Sequence, residues 1–252
     1  RSTLFPYTTL FRSRSIQTKL FHRTSIATPT NSTSSGKTNI TDFEIQNYNK
    51  NSKNSFQFEE KNNLIENNLN NDEFLENTLI ITHHPPLFKP KTPTYTIHSN
   101  WDIIKGGANE ALANTLNLEV IDYFDNKTKI GRICKSDYTF SQLKEIILNS
   151  FESPRVVNIL NDNDKVNKIG IISGFGLKNP DYIKLAKSKN LDILISGDLT
   201  HETAVLAKNL GITSIDLGHH SSEVPGLYEL KRIIQKINEN CDVIDKNPVE
   251  KV

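Results

Sequence analysis

Between Thr78 and Ile237 the chain alternates two kinds of segment: short runs rich in apolar residues, and longer stretches whose apolar residues recur every three or four positions. The runs are "TLIIT", "LEVIDYF", "KIGIISGFG", "LDILISGD" and "ITSIDLG", rich in β-branched residues and closed by Gly, Pro or polar turns. Such runs predict strands, and those without polar alternation predict strands covered on both faces. The periodic stretches predict helices. "DIIKGGANEALANTLNL" spaces Ile103, Ala108, Ala111, Leu112 and Leu116 at helical intervals. "TFSQLKEIILNSF" puts Leu143, Ile146, Ile147 and Phe151 on one face, with Ser141 as a cap. "NPDYIKLAKSKN" starts near Pro180, "THETAVLAKNLG" closes at Gly211, and "VPGLYELKRIIQKI" carries a stripe of Leu227, Leu230, Ile233, Ile234 and Ile237. Strand and helix alternate, which predicts an α/β fold with largely parallel sheets flanked by helices.

Upstream the pattern fails. Residues 14–74 are rich in Asn, Ser and Lys with scattered apolar positions, and are expected to be a disordered arm. The opening "RSTLFPYTTLFRSRS" has no clear helix or strand signal, and Thr3–Ser13 resembles the translation of a common short-read sequencing adapter. Residues 1–13 are therefore set aside as an artefact. The expected division is an α/β domain over 75–240 and a tail over 241–252.

Composition narrows the function classes. Lys+Arg number 30 against Asp+Glu 29, so the chain as a whole has no electrostatic footprint for nucleic acid. No apolar run is long enough to span a bilayer. Cys134 and Cys241 are far apart and form no CxxC, which argues for a reduced compartment and against a thiolate zinc site. A cytoplasmic location is expected. Residues 1–41 contain no Asp or Glu, a bias shared with mitochondrial transit peptides, so the mitochondrion is the alternative.

Six of the seven histidines fall in "THHPP", "TIHSNWD", "GDLTHE" and "LGHHSSE", and three of these clusters directly follow a predicted strand. Ligands collect beyond the carboxyl ends of strands in open α/β sheets, so separate strands can bring these side chains together. Imidazole with carboxylate suits zinc, iron or manganese. Adjacent residues on an extended chain point in opposite directions, so His83 and His84 suit two neighbouring ions better than one. Glu223 lies four residues after His219 in a Ser-rich turn ahead of the last helix, where a carboxylate can bridge two metals.

At these residues the sequence resembles the NGG-one-interacting-factor-three-like family, whose members are often called GTP cyclohydrolase 1 type 2 homologues. "HHPPLFKP", "HSNWDIIKGGANEAL", "GDLTHE" and "GHHSSE" are similar to its ordered motifs across Thr78–Ile237. The resemblance implies two divalent transition-metal ions held by His83, His84, Asp102, His219 and Glu223, with Glu223 as the bridge. It places His98 and His201 near the pocket as proton shuttles or as hydrogen-bonding neighbours of the ligands; polar loop residues are the plainer alternative. Lys89 could hold an anionic substrate or be a solvated surface lysine. Ser173, Gly174 and Gly176 could offer backbone N–H groups to phosphate, or simply form a tight turn.

The family implies either a metal-dependent hydrolase acting on a nucleotide-like or phosphate-bearing small molecule, or a non-enzymatic metal-binding adaptor that meets protein partners. It also implies two α/β subdomains and a ring-like homo-hexamer. Here the family's first strand and helix are expected to be missing, leaving the N-terminal subdomain incomplete and a sheet edge open. Aggregation or mixed small oligomers are then expected, with the homo-oligomer restored by a complete N-terminus.

Overall fold

The computed structural model describes residues 78–87, 89, 93–245 and 247, together with the backbone of Gln17–Phe21. Ten strands and six α-helices are present among the described residues. In chain order they are β1 (Gln17–Phe21), β2 (Thr78–Thr82), β3 (Thr94–Thr96), α1 (Ser99–Ile103), α2 (Ala108–Thr115), β4 (Glu119–Tyr123), β5 (Arg132–Lys135) and α3 (Phe140–Ser150). There follow β6 (Arg155–Val157), β7 (Lys168–Ile171), α4 (Pro180–Ser188), β8 (Ile193–Ser196), α5 (His201–Leu210), β9 (Thr213–Asp216), α6 (His219–Ile234) and β10 (Cys241–Ile244).

They build two sheets. The first runs β10-β1-β2-β3 and is parallel throughout. The second runs β4-β5-β7-β8-β9-β6, with β7, β8 and β9 parallel at its centre. The expected α/β class is present, but three pairs of the second sheet, β4–β5, β5–β7 and β6–β9, are antiparallel. The cause at β4–β5 is a short turn: Asp125 accepts from Lys127 N at 2.9 Å and from Thr128 Oγ1 at 2.7 Å, reversing the chain without a crossover helix.

Two-sided cover explains the apolar runs of β7 and β8, whereas Glu119, Ile121 and Asp122 of β4 are exposed. In β8, Ile193 and Ile195 join one core cluster with Leu143, Ile147 and Ile169, while Leu194 joins another with Ile183, Ala207 and Ile212. Side chains alternate, yet both faces are dry, so no polar alternation survives in the sequence. A third cluster joins Leu79 and Ile81 of β2 to Trp101, Leu230 and Ile234, seating α6 against the first sheet.

Several expectations change. Gln17–Phe21, expected within the disordered arm, is a strand paired on both sides, with β10 and β2. It fills the sheet edge expected to be open. Cys241–Ile244, expected as tail, is the edge strand β10. Five-residue and four-residue strands carry too little periodicity to be read alone; ladder partners far along the chain define them. The adapter-like residues and residues 22–77 lie outside the described residues. The helix predicted across Ile103–Leu116 is two helices, because the backbone turns extended at Ile104 (φ −69°, ψ 149°). The cap of α3 is Thr139 rather than Ser141: its side chain accepts from Gln142 N, and the Gln142 side chain returns a bond to the Thr139 N–H.

The last helix also starts earlier than expected. It begins at His219 and continues through Pro225, so "HHSSE" is its first turn rather than a loop. Proline removes one backbone donor, but Leu227, Leu230 and Ile234 are buried and hold the helix by packing.

Candidate metal centre

Strand ends of both sheets deliver the site. β2 stops at Thr82, and the next two residues are His83 and His84, both buried. β3 runs beside β2, and its continuation donates from Ile97 N to the Thr82 carbonyl at 2.9 Å. The Ile97 carbonyl in turn accepts from His83 Nδ1 at 3.0 Å, so Nε2 is the ring atom turned to the carboxylates. His98 precedes α1, which carries Asp102 in its first turn. From the second sheet, β9 leads into α6, where His219 and Glu223 sit four residues apart and therefore on one face.

Glu223 is the centre of the cluster. Its Oε1 lies 3.3 Å from His83 Nε2 and 3.1 Å from His219 Nε2, while Oε2 lies 3.1 Å from His84 Nε2. Asp102 Oδ1 stands 3.6 Å from His83 Nε2, and His84 Nε2 stands 3.3 Å from His219 Nε2. One carboxylate is therefore shared by three imidazoles: His83, which also faces Asp102, and His84 and His219, which face each other.

The donor set fits divalent ions. With N/O ligands at about 2.0–2.2 Å in tetrahedral array, donor atoms lie roughly 3.3 Å from one another, which is the spacing found here. Asp102 Oδ1 is buried and makes no hydrogen bond. Two imidazole nitrogens facing each other across a carboxylate are arranged as ligands are. His98 joins the group as well: its ring centre lies 4.9 Å from that of His83 and 4.7 Å from that of His84, and these three side chains form one candidate ligand group, beside that of His84, His219 and Glu223.

The electrostatics favour positive charge inside the cluster. Burial pulls the His219 imidazole down, but Asp198 and Glu223 outweigh it and push its pKa up to about 10. His83 behaves alike: burial opposes, Glu223 and Asp102 prevail, and its pKa is raised. Burial raises Asp102 to about 6, against the pull of His83. His98 is lowered to about 4 by burial and then by the charges of His83 and His84. Carboxylates buried together demand a compensating cation, whether proton or metal.

The structure does not gather every predicted residue. His201 is exposed at the start of α5 and makes no hydrogen bond or ring contact with the cluster among the described residues. The "GDLTHE" segment contributes through Asp198 instead, whose Oδ2 accepts from His219 Nδ1 at 2.8 Å. Sequence reasoning missed Asp198, although an acidic residue directly after a strand and glycine was an available signal. Lys89 is exposed.

The phosphate cradle is overturned. Ser173 N donates to Asn109 Oδ1 at 2.8 Å, Gly174 N to Ser222 Oγ at 2.9 Å and Gly176 N to Ser196 Oγ at 2.9 Å, so these N–H groups are committed internally. Gly174 has another purpose. Its φ is +82°, and a Cβ there would stand 2.4 Å from Glu223 Oε1. Gly174→Ala should therefore displace the carboxylate and lower metal affinity at least about tenfold, in the range seen when a ligand's support is lost; calorimetric titration with zinc checks it, and unchanged affinity would contradict this packing.

The family model described as Duf34/NIF3 (NGG1p interacting factor 3) matches residues 91–248. The chain is similar to the "GTP cyclohydrolase 1 type 2 homolog" of Methanothermobacter thermautotrophicus, at 38% identity over 169 residues, covering 66% of this chain and 70% of the relative. Among solved structures it is similar to reduced HcgD from Methanocaldococcus jannaschii, with a TM-score of 0.59 and 30% identity over 67% of this chain and 74% of that one. It shares the fold of TTHA1606 from Thermus thermophilus, with a TM-score of 0.59 and 15% identity over 95% of this chain and 87% of that one. The histidine–carboxylate cluster at the strand ends thus lies in a chain that belongs to the Duf34/NIF3 family.

Proposed function

We propose that this chain is a dinuclear metal-binding protein, that His83, His84, Asp102, His219 and Glu223 hold the ions, and that the centre hydrolyses a nucleotide-like or phosphate-bearing small molecule. The observation that carries the reading is the contact of Glu223 with His83, His84 and His219 at 3.1–3.3 Å, with Asp102 3.6 Å from His83, a spacing that two ions bridged by Glu223 would explain. Zinc, iron and manganese all suit such N/O donors. Bound ions would supply Lewis acidity at a phosphoryl or carbonyl oxygen. His98, half-buried where the other cluster histidines of the first sheet are buried, would carry a proton between the reacting water and solvent through a ring nitrogen. Exposed Lys89, five residues beyond His84, would attract an anionic substrate.

A second reading is favoured by the family description, which names an interacting factor: a metal-binding adaptor that meets protein partners, without turnover. A screen of nucleotides and phosphodiesters with added manganese, iron or zinc separates the two. Turnover that Glu223→Gln lowers by at least about 100-fold supports the hydrolase, since loss of one group stabilising the reacting centre costs about that much. No turnover, with a stable co-purifying partner, supports the adaptor.

The family resemblance supports homo-oligomeric assembly as part of the same proposal. No helix among the described residues is long and apolar enough to cross a membrane. Both cysteines are buried free thiols, and burial pushes Cys134 up to about 12 and Cys241 up to about 11. A reduced compartment, the cytoplasm, accords with thiols kept unpaired.

A further inference from the structure

We propose that Asp198 is a positioning residue for the metal centre: by accepting the Nδ1–H of His219 it holds that imidazole with Nε2 toward His84 and Glu223. The inference rests on the metal-centre reading above. His219 Nδ1 lies 2.8 Å from Asp198 Oδ2, while Nε2 on the far side of the ring lies 3.1 Å from Glu223 Oε1 and 3.3 Å from His84 Nε2. A ring that donates one N–H to a carboxylate is fixed in tautomer and rotation, and its other nitrogen becomes a better ligand.

The backbone around Asp198 is built for this bond. Asp198 adopts a left-handed conformation, φ +63°, which side chains other than Gly, Asn and Asp occupy at a cost. Gly197, just before it, packs so closely on the start of α6 that a Cβ there would stand 2.6 Å from His219 N. Asp216, at the end of β9, ties down both neighbours. Its Oδ1 accepts from Gly218 N at 2.8 Å, and its Oδ2 accepts from Leu199 N at 3.3 Å and from Arg155 Nε at 3.0 Å. Arg155 Nη2 also donates to the Leu199 carbonyl at 3.1 Å. The residues flanking Asp198 and His219 are thus fixed to one buried carboxylate, and the Asp198–His219 distance is set by the frame rather than by the pair.

His83 has the equivalent support from a main-chain carbonyl, that of Ile97. At His219 the acceptor is a side chain, so substitution can remove it without altering the backbone. Asp198→Asn and Asp198→Gly both tolerate the left-handed conformation, but only asparagine keeps an oxygen for the His219 Nδ1–H.

The test compares the full chain with these two variants. Zinc affinity is read by competition with a chromophoric chelator, cobalt(II) loading by its visible d–d absorption, and the fold by melting of the metal-free proteins. The asparagine variant should stay near the parent, whereas the glycine variant should bind one ion of the centre about 10–100-fold more weakly and show an altered cobalt spectrum, with both metal-free proteins still folded and melting cooperatively. Equal affinities for the two variants would overturn the proposal. So would a loss of affinity in the glycine variant whose metal-free protein no longer melts cooperatively, which would place Asp198 in the fold. If the parent chain takes up neither zinc nor cobalt, the metal-centre reading itself fails, and this inference with it.

Discussion

Protein purified without a polyhistidine tag should carry about two transition-metal ions per chain, and the double variant His219→Ala, Glu223→Ala fewer than about half an ion. The expected effect is large because Glu223 touches three imidazoles: Oε1 faces His83 and His219, and Oε2 faces His84. Its loss breaks both ligand sets at once. Single substitutions should separate them. Asp102→Asn should weaken the set containing His83, and His84→Ala the set containing His219, each removing about one ion at limiting metal. Binding to the folded state alone also stabilises it, by about 2.7 kcal/mol at a metal concentration 100 times the dissociation constant. Chelation should lower the melting temperature of the parent chain and leave the double variant unmoved. Elemental analysis with melting curves checks both, and a parent chain holding under half an ion, indifferent to the double substitution, would contradict the assignment.

Arg132→Met should destabilise the chain by about 3–5 kcal/mol, the cost of breaking a buried charged pair. Arg132 lies on β5 with only 1% of its surface exposed. Its Nε donates to Glu110 Oε1 at 2.9 Å. Nη1 reaches the carbonyls of Lys129 at 3.1 Å and Gly131 at 2.8 Å, and Nη2 those of Ile103 and Ile104 at 3.0 Å each. Removing the guanidinium leaves Glu110 without its cation and four carbonyls without this donor. Lysine should not rescue it, because a compact ammonium on a flexible stem cannot reproduce a planar fork. The loss should also reach the metal centre, since Ile103 and Ile104 directly follow Asp102, and Glu110 Oε2 accepts from Gly106 N at 2.8 Å in the same turn. Urea denaturation measures the first effect and metal content the second. A stability change under about 1 kcal/mol would show that the guanidinium contributes no more than an exposed ion pair.

Much of the second sheet was legible in the sequence. "KIGII", "LDILIS" and "ITSID" read as buried strands because strands covered on both faces are rich in β-branched and apolar residues without strict polar alternation, and they are β7, β8 and β9. α4 and α5 were marked by Pro180 at the start of one and Gly211 after the other. These are local signals, carried within a few residues by backbone preference and periodicity. The clustering of histidines just past strand ends was equally local; of these the structure brings His83, His84, His98 and His219 together and leaves His201 outside.

Only the tertiary structure decided how they meet. His84 and Glu223 are 139 positions apart, and nothing short-range brings them within 3.1 Å. Packing of α6 against the first sheet does so, and it carries the helix through Pro225 back to His219, where local reading stopped. The same long-range pairing turned Gln17–Phe21 and Cys241–Ile244 into neighbouring strands, and committed the N–H groups of Ser173, Gly174 and Gly176 to Asn109, Ser222 and Ser196. By itself the sequence determined the central elements from β7 to β9 and the chemical types gathered at their ends, because dihedral preference and side-chain period are properties of neighbouring residues. Ladder partners, the exclusion of His201 and the orientation of His219 by Asp198 were decided in three dimensions, because hydrogen-bond geometry and burial depend on what distant segments bring to the same place.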